Sequence, residues 1–365
     1  MSTITLPTPQ EVQRIVNREV GAPRDVGFAI GVASPQLEAP GFYFVGRLLD
    51  YRKQPLEQHP NTPFELASNS KIFTAALLAY YAQQNPDLLT AAVSSYTPPG
   101  LQSLPDSFSS ITLLDLADYT SGLPQDNINA TDEPIYVPQP YTAASMYGFL
   151  HDGNVPVTGP GTTFTYSNLA VSLLACTIPV AVQSSLGFGE LLQQTITGPL
   201  GMNDTKVFAD VSVTELPLGM SEGQPQSSGW YGFPAYTGGG GMVSTAHDMM
   251  IWLQFHMGML ASSLNGILPL MQKPATTVTY EGIQLGMGWF IGSIPAEDDG
   301  QPISLPVLWK DGGITGCSTY VCFLQSTAPG TAPSQAGVFV LTNGTLTNDG
   351  QAIAQAVLRH MNGYA

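Results

Sequence analysis

The sequence predicts an α/β sandwich in which both ends of the chain build one sheet and a mostly helical domain is inserted between them. Strand-like segments near both termini predict the sheet. A change of texture in the middle predicts the insertion. Residues 10–20 place Val12, Ile15 and Val16 at helical intervals behind Pro9. Residues 26–33 and 41–49 alternate or run apolar and read as paired strands. Residues 71–84 then set Ile72, Ala75, Ala76, Leu78, Ala79 and Tyr80 on one broad apolar side of a helix. From about residue 94 to residue 160 come proline, serine and short helical pieces such as residues 113–119. Beyond Pro199 there are further loops and a helix at 247–257, then strands at 319–324 and 337–342 and a closing helix at 351–361. Residues 1–66 and 200–365 are therefore expected to form a discontinuous sheet domain. Residues 67–199 are expected to form the helical one, with the active site at their junction. No internal repeat is visible.

A chain of 365 residues can bury a large core, and 43% hydrophobic against 10% charged residues describes a globular protein. Eleven basic and 27 acidic side chains give a net charge of −16, a surface that repels nucleic acid and anionic membrane. Neither is expected as a partner, and oligomeric state is left open. Cys176, Cys317 and Cys322 have no metal-ligand spacing and cannot all pair, so they read as buried thiols. No basic-then-apolar leader precedes Thr3-Ile4-Thr5. As written the chain reads as cytoplasmic, or as periplasmic or secreted if a leader has been removed. The longest apolar stretch, residues 170–182, is interrupted by Ser172, Thr177 and Pro179 and is too short to span a bilayer.

The chemistry is concentrated in three short boxes. Ser68-Asn69-Ser70-Lys71 is an S-x-x-K pattern at the start of a helix. A serine hydroxyl is a poor nucleophile until a neighbour takes its proton, and i, i+3 spacing on a helix brings Lys71 to Ser68. Free N–H groups at a helix start can also face a reacting carbonyl. Tyr166-Ser167-Asn168 follows as a Y-x-N pattern. A phenol near two ammonium groups is acidified and can serve as a base, while Asn168 offers a carbonyl to Lys71 and an amide to a substrate carbonyl. Lys310-Asp311-Gly312-Gly313 opens a segment, residues 314–323, that reads as one edge-to-core strand. Its small residues let substrate lie against backbone, and Lys310 offers charge to a substrate carboxylate and to Tyr166. The chain has five lysines, and two of them stand in these boxes.

Other patterns compete less well. Gly219-Met220-Ser221-Glu222-Gly223 fits G-x-S-x-G, but Pro217 and Pro225 flank it where a nucleophile elbow needs a strand and a helix. His59, His151, His247, His256 and His360 form no metal motif, so neither a metal nor another cofactor is expected. The glycine run at 238–241 lacks a phosphate-loop lysine and reads as a tight lead into the helix at His247. Asn129, Asn203 and Asn343 each begin an N-x-T sequon.

With those residues in view the chain resembles the class C β-lactamases and their penicillin-binding D-Ala-D-Ala carboxypeptidase/endopeptidase and esterase relatives. The resemblance runs from about residue 26 to residue 358. It rests on residues 64–71 around the nucleophile, on Thr120-Ser121-Gly122-Leu123-Pro124, and on Pro199-Leu200-Gly201-Met202 with Thr205. Ser244-Thr245 with Asp248-Met249, and Leu285-Gly286-Met287-Gly288-Trp289, complete it. It implies the β-lactamase/penicillin-binding-protein fold, an antiparallel sheet flanked by helices with an inserted helical domain. It also implies Ser68 as the acyl-accepting nucleophile, with Lys71 and Tyr166 sharing the base role. Asn168, Lys310, Asp311, Gly312, Gly313 and the late asparagine Asn343 would contact substrate, and the N–H groups of Ser68 and Gly313 would form the oxyanion hole. Two departures stand out: Asp311 where the family has threonine, and Leu346 where a second asparagine often stands. Both favour an esterase or D-peptidase over an efficient β-lactamase. The expected function is thus a serine hydrolase acting on a small-molecule or short-peptide substrate. An acyltransferase using the same acyl-serine and an inactive penicillin-binding sensor are the alternatives.

Overall fold

Strand Gly27–Ala33 is buried along its whole length, because its alternating side chains enter two different cores. Phe28, Ile30 and Val32 point to a layer holding Val12, Ile15 and Val16 of helix Pro9–Val20 and Ile353, Val357 and Leu358 of helix Asp349–Met361. Ala29 and Ala33 point the other way, toward Met249, Trp252 and Leu253 of helix Ala246–His256 and the helix Ser70–Gln84 beyond. Gly31 shares that second face. A Cβ there would stand 2.1 Å from the Phe339 ring and 2.9 Å from the Met250 methyl, so close packing requires glycine.

This is a computed structural model, and it describes residues 4–21, 25–126, 140–152, 155–226, 233–345 and 349–364. The main sheet has eight antiparallel strands. In spatial order they are Thr279–Tyr280, Ile283–Leu285, Phe290–Asp298, Gln301–Ile314, Cys317–Leu324, Gly337–Thr342, Gly27–Ala33 and Gly41–Gly46. The first strand of the chain pairs with the last, Ala29 opposite Leu341, so both ends of the chain build one sheet as the sequence predicts. Thr8 and Glu11 form a reciprocal cap that starts the N-terminal helix. Helices Ser70–Gln84, Ala143–Asp152 and Asn168–Ala181 come from the segment between the two groups of strands. No helix among the described residues is long and apolar enough to cross a membrane.

The reading of residues 314–323 as one strand is corrected. Gln301–Ile314 and Cys317–Leu324 are two strands of a hairpin, with Ile314 opposite Cys317. Gly316 takes a left-handed φ of 86° at the bend, which a two-residue hairpin turn needs. Lys310 therefore lies inside a sheet strand, paired with Val321. Cys176, Cys317 and Cys322 are free, and burial pushes the thiols of Cys176 and Cys322 up to about 12. Ser221 lies on a small hairpin, Gly219–Ser221 against Gln224–Gln226, turned by Glu222 and Gly223. With no helix after it, it is not a nucleophile elbow.

One buried carboxyl carries a stability prediction. Asp118 is 1% exposed and accepts a bond from Thr120 Oγ1 at 2.6 Å. Burial pushes its pKa up to about 7, only partly opposed by Thr120, with Asp115 adding to the rise. The folded state thus holds a proton that the unfolded chain releases near pH 4, and stability falls as pH rises between those values. Asp118→Asn is expected to raise stability at pH 8 on the order of 2 kcal/mol and to give no gain near pH 4. Urea melts of both proteins at the two pH values check this.

Candidate active site

A three-stranded sheet of Pro63–Glu65, Met242–Thr245 and Lys206–Val207 delivers the chain to a short 3-10 turn, Ala67–Asn69, that leads into helix Ser70–Gln84. From Leu66 to Ala79 every residue is buried except Ser68, which is half-buried. Ala67 has φ of +46°, a conformation that costs a non-glycine residue about 1–3 kcal/mol and persists only where surroundings enforce it. Those surroundings are visible. Asn69 Nδ2 donates to Thr319 Oγ1 at 2.7 Å, Thr319 Oγ1 donates to the Leu66 carbonyl at 2.8 Å, and Met242 N donates to Ser70 Oγ at 3.1 Å. The turn bearing Ser68 is thereby tied to the lysine hairpin and to the small sheet.

Lys71 is fully buried and its Nζ has three acceptors: Ser68 Oγ at 3.0 Å, Asn168 Oδ1 at 2.6 Å and the Gly239 carbonyl. Burial pulls its pKa down, the Lys310 charge adds to this, and Tyr166 opposes both. A neutral amine here would turn its lone pair to the Ser68 proton. The glycine run read from the sequence as a tight lead into a helix has a larger part. Gly238 and Gly239 lie in the helical turn Thr237–Gly240, where their carbonyls accept from Thr74 and Lys71. A Cβ on Gly239 would stand 2.5 Å from Ser172 Oγ and 2.7 Å from the Asn168 carbonyl oxygen. Gly239→Ala is accordingly expected to push Asn168 and Lys71 apart, lowering kcat about 100-fold with a smaller change in KM. Steady-state kinetics with a p-nitrophenyl ester check it.

Tyr166 reaches the same point from the segment that leads into helix Asn168–Ala181. Thr165 N donates to the Tyr119 carbonyl, Ser167 Oγ to the Pro124 carbonyl at 2.6 Å, and Asn168 N to the Gln125 carbonyl. Ser167 then caps helix Asn168–Ala181. The Tyr166 ring stacks on Tyr119 at 5.5 Å, and Tyr119 stacks on Phe290 at 5.1 Å while donating its hydroxyl to the Gly288 carbonyl. Two ammonium groups flank the ring, Lys71 Nζ at 4.9 Å and Lys310 Nζ at 5.2 Å from its centroid. Burial alone would raise the phenol pKa, but Lys310 and Lys71 overcome it and a bond with Ser68 helps, so the net shift is downward.

Lys310 is also fully buried. Its Nζ donates to the Asp311 carbonyl at 2.7 Å and to Asp311 Oδ1 at 2.9 Å. Burial disfavours its charge, yet Asp311 and Tyr166 hold its pKa above the ordinary value. The Asp311 side chain is 59% exposed, so water screens part of this attraction. Next along the strand, a Cβ on Gly312 would stand 2.6 Å from the Leu66 carbonyl and 3.0 Å from Ser68 N. Gly313 has no atom within 4 Å of that position and faces open space. Ser68, Lys71, Tyr166, Asn168, Lys310, Asp311 and Gly312 thus form one connected cluster.

A family model described as Beta-lactamase matches residues 50–361. The chain belongs to the β-lactamase family. It is a serine hydrolase, as the ordered boxes predict. It is 28% identical to the D-alanyl-D-alanine-carboxypeptidase/endopeptidase AmpH of Escherichia coli over 71% of this chain and 67% of that protein. It is 31% identical to a β-lactamase of Pseudomonas fluorescens over 68% of this chain and 64% of that one. In fold it is similar to a class C β-lactamase, with TM-score 0.72 and 21% identity over 96% of this chain and 98% of that one. A β-lactamase/D-alanine carboxypeptidase from Yersinia pestis superposes with TM-score 0.70 and 23% identity over 96% and 99%.

Within this β-lactamase-family chain one site expectation is corrected. Asn343 is 3% exposed, and its amide is spent on backbone: Oδ1 accepts from Gly27 N at 2.9 Å, and Nδ2 donates to the Leu218 and Asp25 carbonyls. It ties two sheet strands to a loop, which also closes its sequon to modification in the folded chain. The Asn168 amide donates one of its two N–H groups to Asp126 Oδ1 at 2.9 Å. Leu346 and Asn129 lie outside the described residues. The sequence reading missed Tyr119, Phe290 and Gly239. Their only signal was proximity to the Thr120–Pro124 stretch, the glycine run and the Gly288-Trp289 pair. No group of three or more metal-ligating side chains occurs among the described residues. His256 is enclosed by Trp252, Phe255, Trp289 and Phe323, and burial pushes its pKa down to about 3.

Proposed function

We propose that this chain hydrolyses small ester or amide substrates through a Ser68 acyl-enzyme, and that it turns over β-lactams weakly. The observation that carries the reading is the three-way contact of Lys71 with Ser68, Asn168 and Gly239 beneath a phenol flanked by two cations. Ser68 Oγ attacks the substrate carbonyl as its proton passes to the Lys71–Tyr166 pair. The developing oxyanion is met by the N–H groups of Ser68 and Gly313, a role supported by the close approach of the Gly312 strand to Ser68 N. Tyr166 then returns the proton to the leaving group, and water takes the reverse path to free the acid.

Asp311 sets the substrate class in this reading. It engages the Lys310 ammonium that would otherwise meet a substrate carboxylate. Beside it opens a cavity of about 350 Å³ whose lining includes Gly313, Ile314, Ser318, Tyr320 and Gln351 and no cationic side chain. A neutral leaving group fits that lining better than an anionic one. The test is a rate panel of nitrocefin, a D-Ala-D-Ala peptide and short-chain p-nitrophenyl esters. Esters or peptide should outrun nitrocefin, and nitrocefin far outrunning both would restore an ordinary β-lactamase. Asp311→Thr is expected to raise nitrocefin turnover relative to ester turnover about tenfold, the effect of freeing one charge-assisted contact. Adding an alcohol or amine acceptor to the ester assay separates hydrolysis from acyl transfer.

A further inference from the structure

Tyr166 hangs on the loop that follows helix Leu113–Ala117. The carbonyls of Tyr119, Pro124 and Gln125 accept from Thr165 N, Ser167 Oγ and Asn168 N, and the Tyr119 ring stacks on Tyr166. Tyr119 has φ of +66°, a left-handed conformation that a bulky residue holds only where its surroundings enforce it. The enforcing contact spans it: the side chains of its two chain neighbours, Asp118 and Thr120, meet at 2.6 Å. We propose that Asp118 is a positioning residue for Tyr166, that a proton on its carboxyl closes this clamp across Tyr119, and that loss of the proton opens the clamp and slows the enzyme at alkaline pH. This rests on Tyr166 acting in the acyl-serine reaction proposed above.

Counting hydrogens places the proton. Thr120 Oγ1 carries one hydrogen and lies against two carboxyls, Asp118 Oδ1 at 2.6 Å and Asp115 Oδ1 at 3.1 Å. If both are ionised, one of these contacts sets lone pair against lone pair. The other oxygen of Asp115 already accepts from Thr112 N at 2.8 Å and Thr112 Oγ1 at 2.7 Å, two donors that suit a carboxylate. Asp118 is 1% exposed, and among the described residues its side-chain partner is Thr120. A proton on Asp118 supplies the missing hydrogen, so that Asp118 can donate to Thr120 Oγ1 while Thr120 donates to Asp115.

The surroundings agree. Burial raises the Asp118 pKa to about 7, Thr120 opposes this by less, and Asp115 adds to the rise. Thr158 N and Gly161 N donate to the Gly122 and Thr120 carbonyls, and residues 158–163 have no titratable side chain. Nor do residues 286–289, whose Gly288 N donates to the Ala117 carbonyl. Burial holds Tyr119 neutral, its pKa well above the ordinary value. Lys71 and Lys310 bond to Ser68, Asn168, Gly239 and Asp311, none of them to Asp118. Residues 127–139, outside the described residues, include no Lys, Arg or His.

The test is the pH dependence of kcat and KM of the whole chain for p-nitrophenyl butyrate between about pH 5 and about pH 9, read at a wavelength where nitrophenol ionisation has no effect. The protonated form is the positioned one, so wild-type kcat should fall about fivefold as pH rises through about 7. KM should change less, and a lower plateau should remain because Ser68, Lys71 and Tyr166 are still present. Asp118→Asn keeps a donor to Thr120 at every pH, so its kcat should run on to the alkaline end without the fall. Thr120→Val removes the hydroxyl that both carboxyls meet and should sit near the lower plateau throughout, whereas Thr120→Ser should restore the fall. Asp87→Asn, at an exposed acid of the turn Pro86–Thr90, should keep the wild-type profile, which separates Asp118 from the general field of an acidic protein. A wild-type profile with no alkaline fall, or a fall that survives Asp118→Asn, would overturn the inference, while continued hydrolysis and labelling of Ser68 by a fluorophosphonate would leave the acyl-serine reading intact. Should Asp118→Asn fail to fold, the Thr120 pair decides, and one profile shared by Thr120→Val and Thr120→Ser would overturn it equally. Absence of both hydrolysis and Ser68 labelling would remove the two together.

Discussion

Ser68→Ala is expected to lower ester hydrolysis about 10⁴-fold or more, because removing a nucleophile removes every step that depends on it. The variant should fold normally, since Ser68 is half-buried and the bonds that tie its turn run through Asn69, Ser70 and Thr319. It should also lose fluorophosphonate labelling, read as an intact mass with no adduct. Ser221→Ala should leave both readouts at the wild-type level, since Ser221 lies on a small hairpin and the bonds that join Lys71 to Ser68, Asn168 and Gly239 do not run through it. Retention of the wild-type rate in Ser68→Ala would refute the assignment, and loss in Ser221→Ala would redirect it.

Tyr166→Phe is expected to cost about 10²–10⁴ in kcat, the usual contribution of a positioned acid–base group. The ring should stay in place, because stacking on Tyr119 needs no hydroxyl. The pH profile then distinguishes a chemical role from a structural one. Burial raises the Tyr166 pKa, Lys310 and Lys71 lower it by more, and the net is below the ordinary phenol value. In the proposed mechanism the phenolate is the active base, so wild-type activity should be present above that depressed pKa and fall as pH drops through it. The residual rate of Tyr166→Phe should lack this acid limb. Lys310→Met removes the larger of the two cationic influences and should move the limb to higher pH. An acid limb unmoved by both substitutions would take the base role away from Tyr166.

Local patterns were readable from sequence wherever one residue's environment follows from its neighbours in the chain. The Ser68–Lys71 contact is such a case, since i, i+3 spacing at a helix start places the two side chains together whatever else surrounds them. Helices Pro9–Val20 and Ser70–Gln84 and the strands at both ends followed from apolar periodicity in the same way. The hairpin at Gly316 was missed because an apolar run on both sides of one glycine reads as a single strand.

The sequence by itself determined the order of the boxes, the family and the reaction type, because these depend on residue identity and short spacing. Only the tertiary structure decided which polar groups face the cleft and which are already engaged. Asn343 and Asn168 have the same side chain, yet one is bonded wholly to backbone and the other divides its amide between Lys71 and Asp126. The Tyr119–Tyr166–Phe290 assembly and the Gly239 contact likewise join residues from 47 to more than 160 positions apart. A hydrogen bond forms only where folding brings donor and acceptor within about 3 Å. Chain-distant pairs meet only through the packing of whole elements, which no local pattern records.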